Sequence, residues 1–97
     1  MIVRIAKLTI QTEKAEQFKI FFHQSHFKIV NFKGCMHVEL IQESLNKNIF
    51  FTYSHWENEK MLEEYRNSKI FKSIWNQTKL FFSEKPQAWS LKSIGNE

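Results

Sequence analysis

The stretch FFTYSHW, residues 50–56, places large aromatic side chains on both sides of one predicted strand. Successive side chains of a strand point to opposite faces, so Phe50 and Trp56 share one face, with Thr52 and Ser54 between them. Phe51, Tyr53 and His55 share the other face. A strand with one solvated face alternates apolar and polar residues instead. Both faces of this strand therefore need a cover, which strongly limits the folds available to the chain.

The first half of the chain predicts a strand, a long helix and a second strand. An apolar, β-branched run over residues 2–10 predicts the first strand, and Thr12 is a candidate N-cap for a helix that runs to about residue 30. Gly34 suits the turn that follows this helix. In the second strand, CMHVELIQE, alternation places Met36, Val38 and Leu40 on one side and His37, Glu39 and Ile41 on the other.

The second half predicts two helices and a last strand after residues 50–56. Asn58 is a candidate N-cap for a short helix, and Asn67 or Ser68 restarts a second helical segment, KIFKSIWNQTKLFF. Pro86 ends this segment because proline cannot continue a helix. QAWSLKSI then predicts the last strand. Apolar residues recur at helical spacing in the second helical segment, namely Phe71, Ile74, Trp75, Thr78, Phe81 and Phe82.

The predicted order β-α-β-β-α-α-β is typical of the ferredoxin-like α+β fold, a four-stranded antiparallel sheet with its helices on one face. With 97 residues the chain is expected to form one domain, residues 1–97. The face without helices is nevertheless apolar, since Val3 and Ile5 share one side of the first strand and the third strand carries rings on both sides. The natural cover for such a face is a second copy of the chain, which predicts a homodimer.

Composition excludes several classes of function. The net charge is +4, and the lysines are scattered along the chain without a basic run, which argues against nucleic-acid binding. Arg4 and Lys7 interrupt the apolar N-terminal run, and no segment reaches the roughly 18 apolar residues of a membrane span. Cys35 is the single cysteine, so an internal disulfide is excluded. We therefore expect a soluble cytoplasmic protein that does not bind membranes.

Cofactor and metal motifs are not found in the sequence. His23 and His26 lie three residues apart on the first predicted helix, but no Glu or Cys is arranged to complete a tetrahedral metal site. No glycine-rich phosphate loop, nucleophile elbow or dinucleotide fingerprint is present. The sequence thus predicts neither a metal nor a bound cofactor.

Three segments resemble the antibiotic biosynthesis monooxygenase family over about residues 2–92, namely FKGCMHVEL, NIFFTYSHWENEKMLEEYRNSKIFKSIW and EKPQAWSL. The resemblance implies a ferredoxin-like protomer whose sheet packs on that of its mate to form a dimeric α+β barrel, with the last strand able to reach across to the partner. Members include cofactor-free oxygenases of quinols or polycyclic phenols, haem-degrading enzymes, isomerases of small metabolites, and proteins without a known reaction.

The haem-degrading branch can be compared residue by residue. The resemblance implies an Asn on the first strand, a Trp on the short helix and a haem-ligating His on the following helix. Ala6, Tyr65 and Trp75 stand at those places in this chain. Since Trp75 offers no imidazole, the proximal iron ligand is missing, and haem degradation is disfavoured.

The cofactor-free branch implies a pocket between sheet and helices that encloses an aromatic substrate. Trp56 and Tyr65 match the family's pocket residues by position and are candidate catalytic residues, although a core role is favoured over a catalytic one for each. His37 is the candidate base because imidazole titrates near neutral pH; otherwise it is a hydrogen-bonded histidine at the sheet surface or dimer interface. The candidate substrate-binding residues are Tyr53, His55, Trp75 and Phe51.

Three functions follow as hypotheses. The first is a cofactor-independent monooxygenase that acts on a small aromatic, phenolic or quinol-like substrate. The second is a non-catalytic dimeric binding or accessory protein, and the third is an isomerase of a small metabolite. The first requires a closed pocket of about 300 Å³ or more that contacts both Tyr65 and either His37 or His55.

Overall fold

A computed structural model describes residues 1–94, and its elements follow the predicted order. The strands are β1 (Ile2–Thr9), β2 (Cys35–Gln42), β3 (Ile49–Trp56) and β4 (Gln87–Leu91), and the helices are α1 (Ala15–Val30), α2 (Glu59–Arg66) and α3 (Lys69–Thr78). Short 3₁₀ turns at Thr12–Lys14 and Lys79–Phe81 precede α1 and follow α3. The ferredoxin-like α+β fold is thereby confirmed.

The four strands form one antiparallel sheet in the order β2-β3-β1-β4. β1 is central: Ile2 pairs with Trp56 of β3, and Val3 pairs with Leu91 of β4. We call the face that the helices cover the inner face, and its residues are Ile2, Arg4, Ala6, Leu8, Val38, Leu40, Phe50, Thr52, Ser54, Trp56, Ala88 and Ser90. The outer face carries Val3, Ile5, Lys7, His37, Glu39, Ile41, Ile49, Phe51, Tyr53, His55, Gln87, Trp89 and Leu91.

Two buried clusters hold the helices on the inner face. The larger consists of Ile2, Phe22, Ile29, Val38, Trp56, Leu62 and Tyr65, and the smaller of Leu8, Ile10, Phe18 and Phe50. Trp56 and Phe50 are each 1% exposed, as the alternation in residues 50–56 predicts for the side that meets the helices. Burial of two such rings contributes several kcal/mol, at about 25 cal/mol per Å² of apolar surface.

Local signals in the sequence explain where several elements begin. The Asn58 side chain accepts a hydrogen bond from the Met61 backbone N–H at 2.9 Å and caps α2. Ser68 caps α3 in the same way through the Phe71 N–H at 3.1 Å. Gly34 adopts a φ of 90°, a left-handed angle that favours glycine. The predictions for these three positions are confirmed, and of the two alternatives for α3 the cap is Ser68.

Three boundary predictions were wrong. Thr12 does not cap a helix: it begins the 3₁₀ turn, and α1 begins at Ala15 without a side-chain cap. α3 ends at Thr78, because Phe82 turns to extended backbone and forms a bridge with Ile10. β4 ends at Leu91 and does not extend to residue 94.

The prediction that Met36 shares an apolar side with Val38 was also wrong. The pairing of β2 with β3 is irregular between Cys35 and His37, so one extra residue interrupts the alternation. Cys35 packs against the larger core cluster, while Met36 is 58% exposed. The register beyond this bulge places Val38 on the inner face and His37 on the outer face.

Within residues 1–94, no helix combines the length and the apolar character that crossing a membrane requires.

Candidate functional site

A pocket of about 370 Å³ lies between the inner face of the sheet and the helices. Its size falls within the range of small-molecule sites. Most of its wall is apolar and aromatic, and its polar side chains are those of Arg4, Ser25, Thr52, Ser54, Tyr65, Arg66, Thr78 and Gln87. A mostly apolar pocket with a few polar groups is suited to orient a small, largely hydrophobic ligand.

Four aromatic rings follow one another along the pocket wall. Tyr65 stacks on Trp56 with ring centroids 4.8 Å apart, and it meets Phe71 edge-on at 5.1 Å. Phe71 in turn stacks on Trp75 at 5.8 Å with an interplanar angle of 12°. Because α2 and α3 supply three of these rings and β3 the fourth, the wall is built on regular elements. Such rings offer flat surfaces to a planar aromatic ligand.

Hydrogen bonds on the inner face fix the orientation of Trp56. Its indole Nε1 donates to Ser54 Oγ at 2.9 Å, and Ser54 Oγ donates to the Arg4 carbonyl oxygen at 3.4 Å. The indole N–H is therefore satisfied inside the protein and is not directed at a ligand. Trp56 serves the pocket as a rigid apolar wall.

Tyr65 contributes a hydroxyl group to the pocket, and its surroundings shift the pKa of this group. Burial raises its pKa well above the usual range, and the nearby Cys35 thiolate would raise it further. The phenol therefore stays protonated at neutral pH and can donate a hydrogen bond to a ligand oxygen. It is unsuited to act as a general base there, because its anionic form is disfavoured.

Arg4 supplies a positive charge at the inner face. It lies on β1 between Ser54 of β3 and Ser90 of β4, and its Nη1 donates to Ser90 Oγ at 2.9 Å. Burial lowers its pKa, the Arg66 guanidinium lowers it further, and Glu63 acts in the opposite direction. A guanidinium nevertheless remains charged in proteins. The pocket thus has a permanent cation on the sheet.

The structure divides the predicted site residues between the two faces of the sheet. Trp56, Tyr65 and Trp75 line the pocket. His37, His55, Tyr53 and Phe51 lie on the outer face, where His37 pairs with His55 and Glu39 pairs with Tyr53. The prediction that one pocket contacts Tyr65 together with His37 or His55 was therefore wrong, and a monooxygenase reaction in this pocket would have to proceed without either histidine as its base. The reason is the two-residue period of the strands, which directs these side chains away from Trp56.

The outer-face residues form a cluster of their own. His37 Nε2 lies 2.6 Å from Glu39 Oε1, and the His37 and His55 rings are 5.6 Å apart. Tyr53 contacts His55 with ring centroids 4.9 Å apart. Within residues 1–94, His55 Nε2 is buried and has no hydrogen-bond partner. No group of three His, Cys, Asp or Glu side chains in this part of the chain is arranged to hold a metal ion.

Sequence reasoning missed Arg4 as a pocket residue. It was considered only as a charge that interrupts an apolar run, yet it shares the alternation of Ile2, Ala6 and Leu8, which are inner-face residues. A lone charge on the apolar side of a strand is costly to bury without a partner. That pattern was the signal that could have indicated a functional role.

The pocket also allows the haem comparison to be tested. Ala6, Tyr65 and Trp75, the positions compared with the haem-degrading branch, all line it. Among the residues that the structure describes, 1–94, the lining contains no His, Cys or carboxylate side chain, and burial keeps the Tyr65 phenol neutral. These residues therefore do not fit an axial ligand for haem iron.

The fold and the pocket define a small α+β protein that encloses an aromatic chamber between its sheet and its helices. The sequence profile of the antibiotic biosynthesis monooxygenase family matches residues 1–77. The chain belongs to this family.

Solved structures agree with this fold. A protein from Nitrosomonas europaea, named for the same family, has a TM-score of 0.88 at 17% identity, covering 98% of this chain and 100% of that one. A conserved protein from Methanosarcina mazei has a TM-score of 0.88 at 21% identity over 94% and 90% of the two chains. Rv0793 from Mycobacterium tuberculosis has a TM-score of 0.86 at 12% identity over 98% and 96%. At these identities the likeness concerns the fold alone. No curated protein sequence matches the chain significantly.

Proposed function

We propose that the chain is a cofactor-independent monooxygenase that binds a small phenolic or quinol-like aromatic compound in the inner-face pocket. The observation that carries this proposal is the 370 Å³ pocket walled by Trp56, Tyr65 and Trp75. Stacked rings favour a planar ligand, and the protonated Tyr65 hydroxyl can donate to a ligand oxygen. Membership of the monooxygenase family supports the reaction class.

The proposed reaction needs no external reductant. A phenol gives up its O–H proton and a ring C–H hydrogen, and the substrate itself supplies the electrons that reduce O₂. One oxygen atom forms a bond to the ring carbon and the other leaves as water, so phenol plus O₂ gives quinone plus water. The protein would contribute a mostly apolar pocket wall and the Tyr65 hydroxyl, which can donate to the phenolate from which the electron leaves.

Oxygen uptake in the presence of ¹⁸O₂ and a naphthol tests this proposal. We expect uptake that depends on the protein and one labelled oxygen atom in the quinone product. Tyr65→Phe removes the hydroxyl donor and should lower the rate roughly tenfold, as expected for loss of a hydrogen bond to a developing anion. His37 lies on the outer face, so His37→Ala should leave the rate unchanged and serves as the matched control for Tyr65→Phe. An unchanged rate in His37→Ala assigns proton removal to another group, and quinone without label refutes the monooxygenase proposal.

A specific observation favours the second candidate, a binding protein without catalysis. In the described part of the chain, the pocket lining holds no imidazole or carboxylate that could act as a base. Binding of naphthols with micromolar affinity, but without protein-dependent oxygen uptake, would support this candidate over the first.

We also propose that the outer face packs on a second copy of the chain. Trp89 and Leu91 are each 44% exposed there, and Phe51, Tyr53 and Ile5 lie beside them. With strands about 4.8 Å apart and a rise of about 3.3 Å per residue, this face measures roughly 500 Å². Two such faces together reach about 1,000 Å², near the lower bound of a specific interface. The unpartnered His55 Nε2 supports a polar contact from the mate, and β4 could also exchange between the copies.

Analytical ultracentrifugation tests the dimer. The unmodified chain is expected to sediment as a dimer at micromolar concentration, and Phe51→Glu, which buries a charge in the interface, should yield monomer. Lys72→Glu introduces the same acidic side chain on an exposed position of α3 and should leave the dimer intact. A monomer in the unmodified chain refutes the interface.

A further inference from the structure

The inner face carries a charge that the proposed reaction class alone does not require. Arg4 is half-buried, and its side chain lines the pocket together with Thr52 and Ser54. Its carbonyl oxygen and Nη1 both contact serine side chains, which hold the residue in register at the centre of the sheet. A fixed guanidinium against an apolar wall is a feature that recognises anions.

Within residues 1–94, no carboxylate lies within 4 Å of Arg4. Arg66, which also lines the pocket, is paired with Glu63, since its Nη1 lies 3.1 Å from Glu63 Oε2. The Arg66 guanidinium is close enough to lower the pKa of Arg4. The two like charges therefore add to a positive potential at the pocket. Among residues 1–94, Arg4 is therefore the pocket guanidinium without a carboxylate partner.

Burying a charge without a carboxylate partner is unfavourable for stability. A hydrophobic residue at position 4 would match its inner-face neighbours Ile2, Ala6 and Leu8 and would avoid this cost. Hydrogen bonds from a guanidinium to a carboxylate or other oxyanion are among the strongest in proteins, particularly in an apolar pocket. The placement of Arg4 is thus accounted for by a negatively charged ligand group.

We propose that the ligand of the inner-face pocket is a planar aromatic compound that carries an anionic oxygen group, and that Arg4 binds this group while the aromatic rings of Tyr65 and Trp75 contact its plane. This inference rests on the proposed function and narrows its substrate class from aromatic to anionic aromatic compounds. The anionic group that we propose is a carboxylate; an ionised phenol, which the proposed reaction already contains, would present the same oxyanion to Arg4 and is an outcome of the test.

Matched probes separate charge from shape. 2-Naphthoate and 2-naphthamide have the same ring system and similar size, but only the first is negatively charged. Isothermal titration at pH 7 is expected to show tighter binding of 2-naphthoate by roughly 10- to 100-fold, which corresponds to a charge-assisted hydrogen bond. 2-Naphthol, measured at pH 7 and again at a pH where it ionises, distinguishes a phenolate from a carboxylate as the preferred group.

Substitutions then locate the effect. Arg4→Gln removes the charge but keeps hydrogen-bond donors, so 2-naphthoate should lose its roughly 10- to 100-fold advantage while 2-naphthamide changes less than about threefold. Arg4→Lys keeps the positive charge but loses the forked guanidinium, so it should retain part of the tighter binding of 2-naphthoate relative to 2-naphthamide. Lys72→Gln removes the same charge from the exposed surface of α3 and should change neither affinity. In addition, 2-naphthoate at saturation should shift the Arg4 side-chain N–H NMR signal of the unmodified chain more than 2-naphthamide does, because only the carboxylate accepts a charge-assisted hydrogen bond.

The outcomes distinguish this inference from the proposed function. Equal affinity of the unmodified chain for the two naphthalene probes overturns the anionic ligand and leaves the aromatic pocket standing. If neither naphthalene probe nor 2-naphthol binds, both the anionic ligand and the proposed aromatic substrate are overturned. An unchanged advantage for 2-naphthoate in Arg4→Gln assigns anion binding to another residue and overturns the role of Arg4. If Arg4 variants fail to fold, the probe pair and the NMR shift in the unmodified chain decide the question.

Discussion

Replacement of Gly34 by alanine should destabilise the protein through two separable effects. Gly34 has a φ of +90°, and a Cβ added there would lie 2.5 Å from Met61 Cβ and 2.6 Å from Met61 Cγ. A left-handed backbone costs a residue with a Cβ about 1–2 kcal/mol. Since Met61 Cβ is attached directly to the backbone of α2, that helix must shift, at an overpacking cost of about 1–3 kcal/mol. Together these effects predict that the free energy of unfolding falls by about 2–5 kcal/mol. This is a large part of the roughly 5–15 kcal/mol by which native proteins are usually stable.

Urea denaturation, monitored by tryptophan fluorescence, measures this loss as a change in the free energy of unfolding. The matched background is Met61→Gly, which removes the side chain that the added Cβ would contact. In that background Gly34→Ala should cost only the backbone contribution, about 1–2 kcal/mol. A loss below about 0.5 kcal/mol in the unmodified background would falsify the argument, and equal losses in the two backgrounds would show that α2 does not resist the added Cβ.

Three further outcomes follow from single contacts. Ser54→Ala leaves the indole N–H of Trp56, which is 1% exposed, without its acceptor and should cost about 1–3 kcal/mol in urea denaturation; a neutral result would mean that another acceptor takes over. Asn58→Ala removes the cap from the Met61 N–H and should cost about 1 kcal/mol, with a loss of helical circular dichroism that Asn58→Asp restores. Burial raises the pKa of Tyr65 above that of the unfolded chain, so its neutral form stabilises the fold below about pH 10 and this stabilisation is lost as the pH rises further, by up to about 1.4 kcal/mol per pH unit. Tyr65→Phe should flatten the decline above pH 10, and an identical decline in both proteins contradicts this assignment.

Most of the fold could be predicted because each element carries a local signal. The alternation in residues 50–56 correctly separated Phe50 and Trp56 from Phe51, and Asn58 marked the start of α2 by its side chain. Such signals act within a few residues and do not depend on tertiary contacts. Boundaries that tertiary contacts decide were missed, such as the end of α3, where Phe82 pairs with Ile10.

The candidate site could be predicted only in part, because alternation groups the residues of a strand by face without assigning the helices to either face. Trp56 was expected in the pocket because it matched the family by position, and it lines the cavity on the side of Phe50, while its functional role stays a prediction. His37 was assigned to the same pocket for its chemistry, and the register of β2 with β3 places it on the opposite side. Arg4 was missed because the pocket that it lines exists only where the helices cover the sheet, and the alternation in β1 does not show which face they cover.

The position of β4 at the edge of the sheet has a consequence for how a molecule reaches the chamber. Pro86, Gln87 and Ala88 form part of the pocket wall, yet within the sheet β4 is hydrogen bonded to β1 alone, and all its residues are exposed. An edge strand has backbone hydrogen bonds to one neighbour only, so it can separate from the sheet at a lower cost than a central strand. We therefore expect a ligand to enter and leave the pocket beside β4, while the aromatic side chains on α2 and α3 keep their positions.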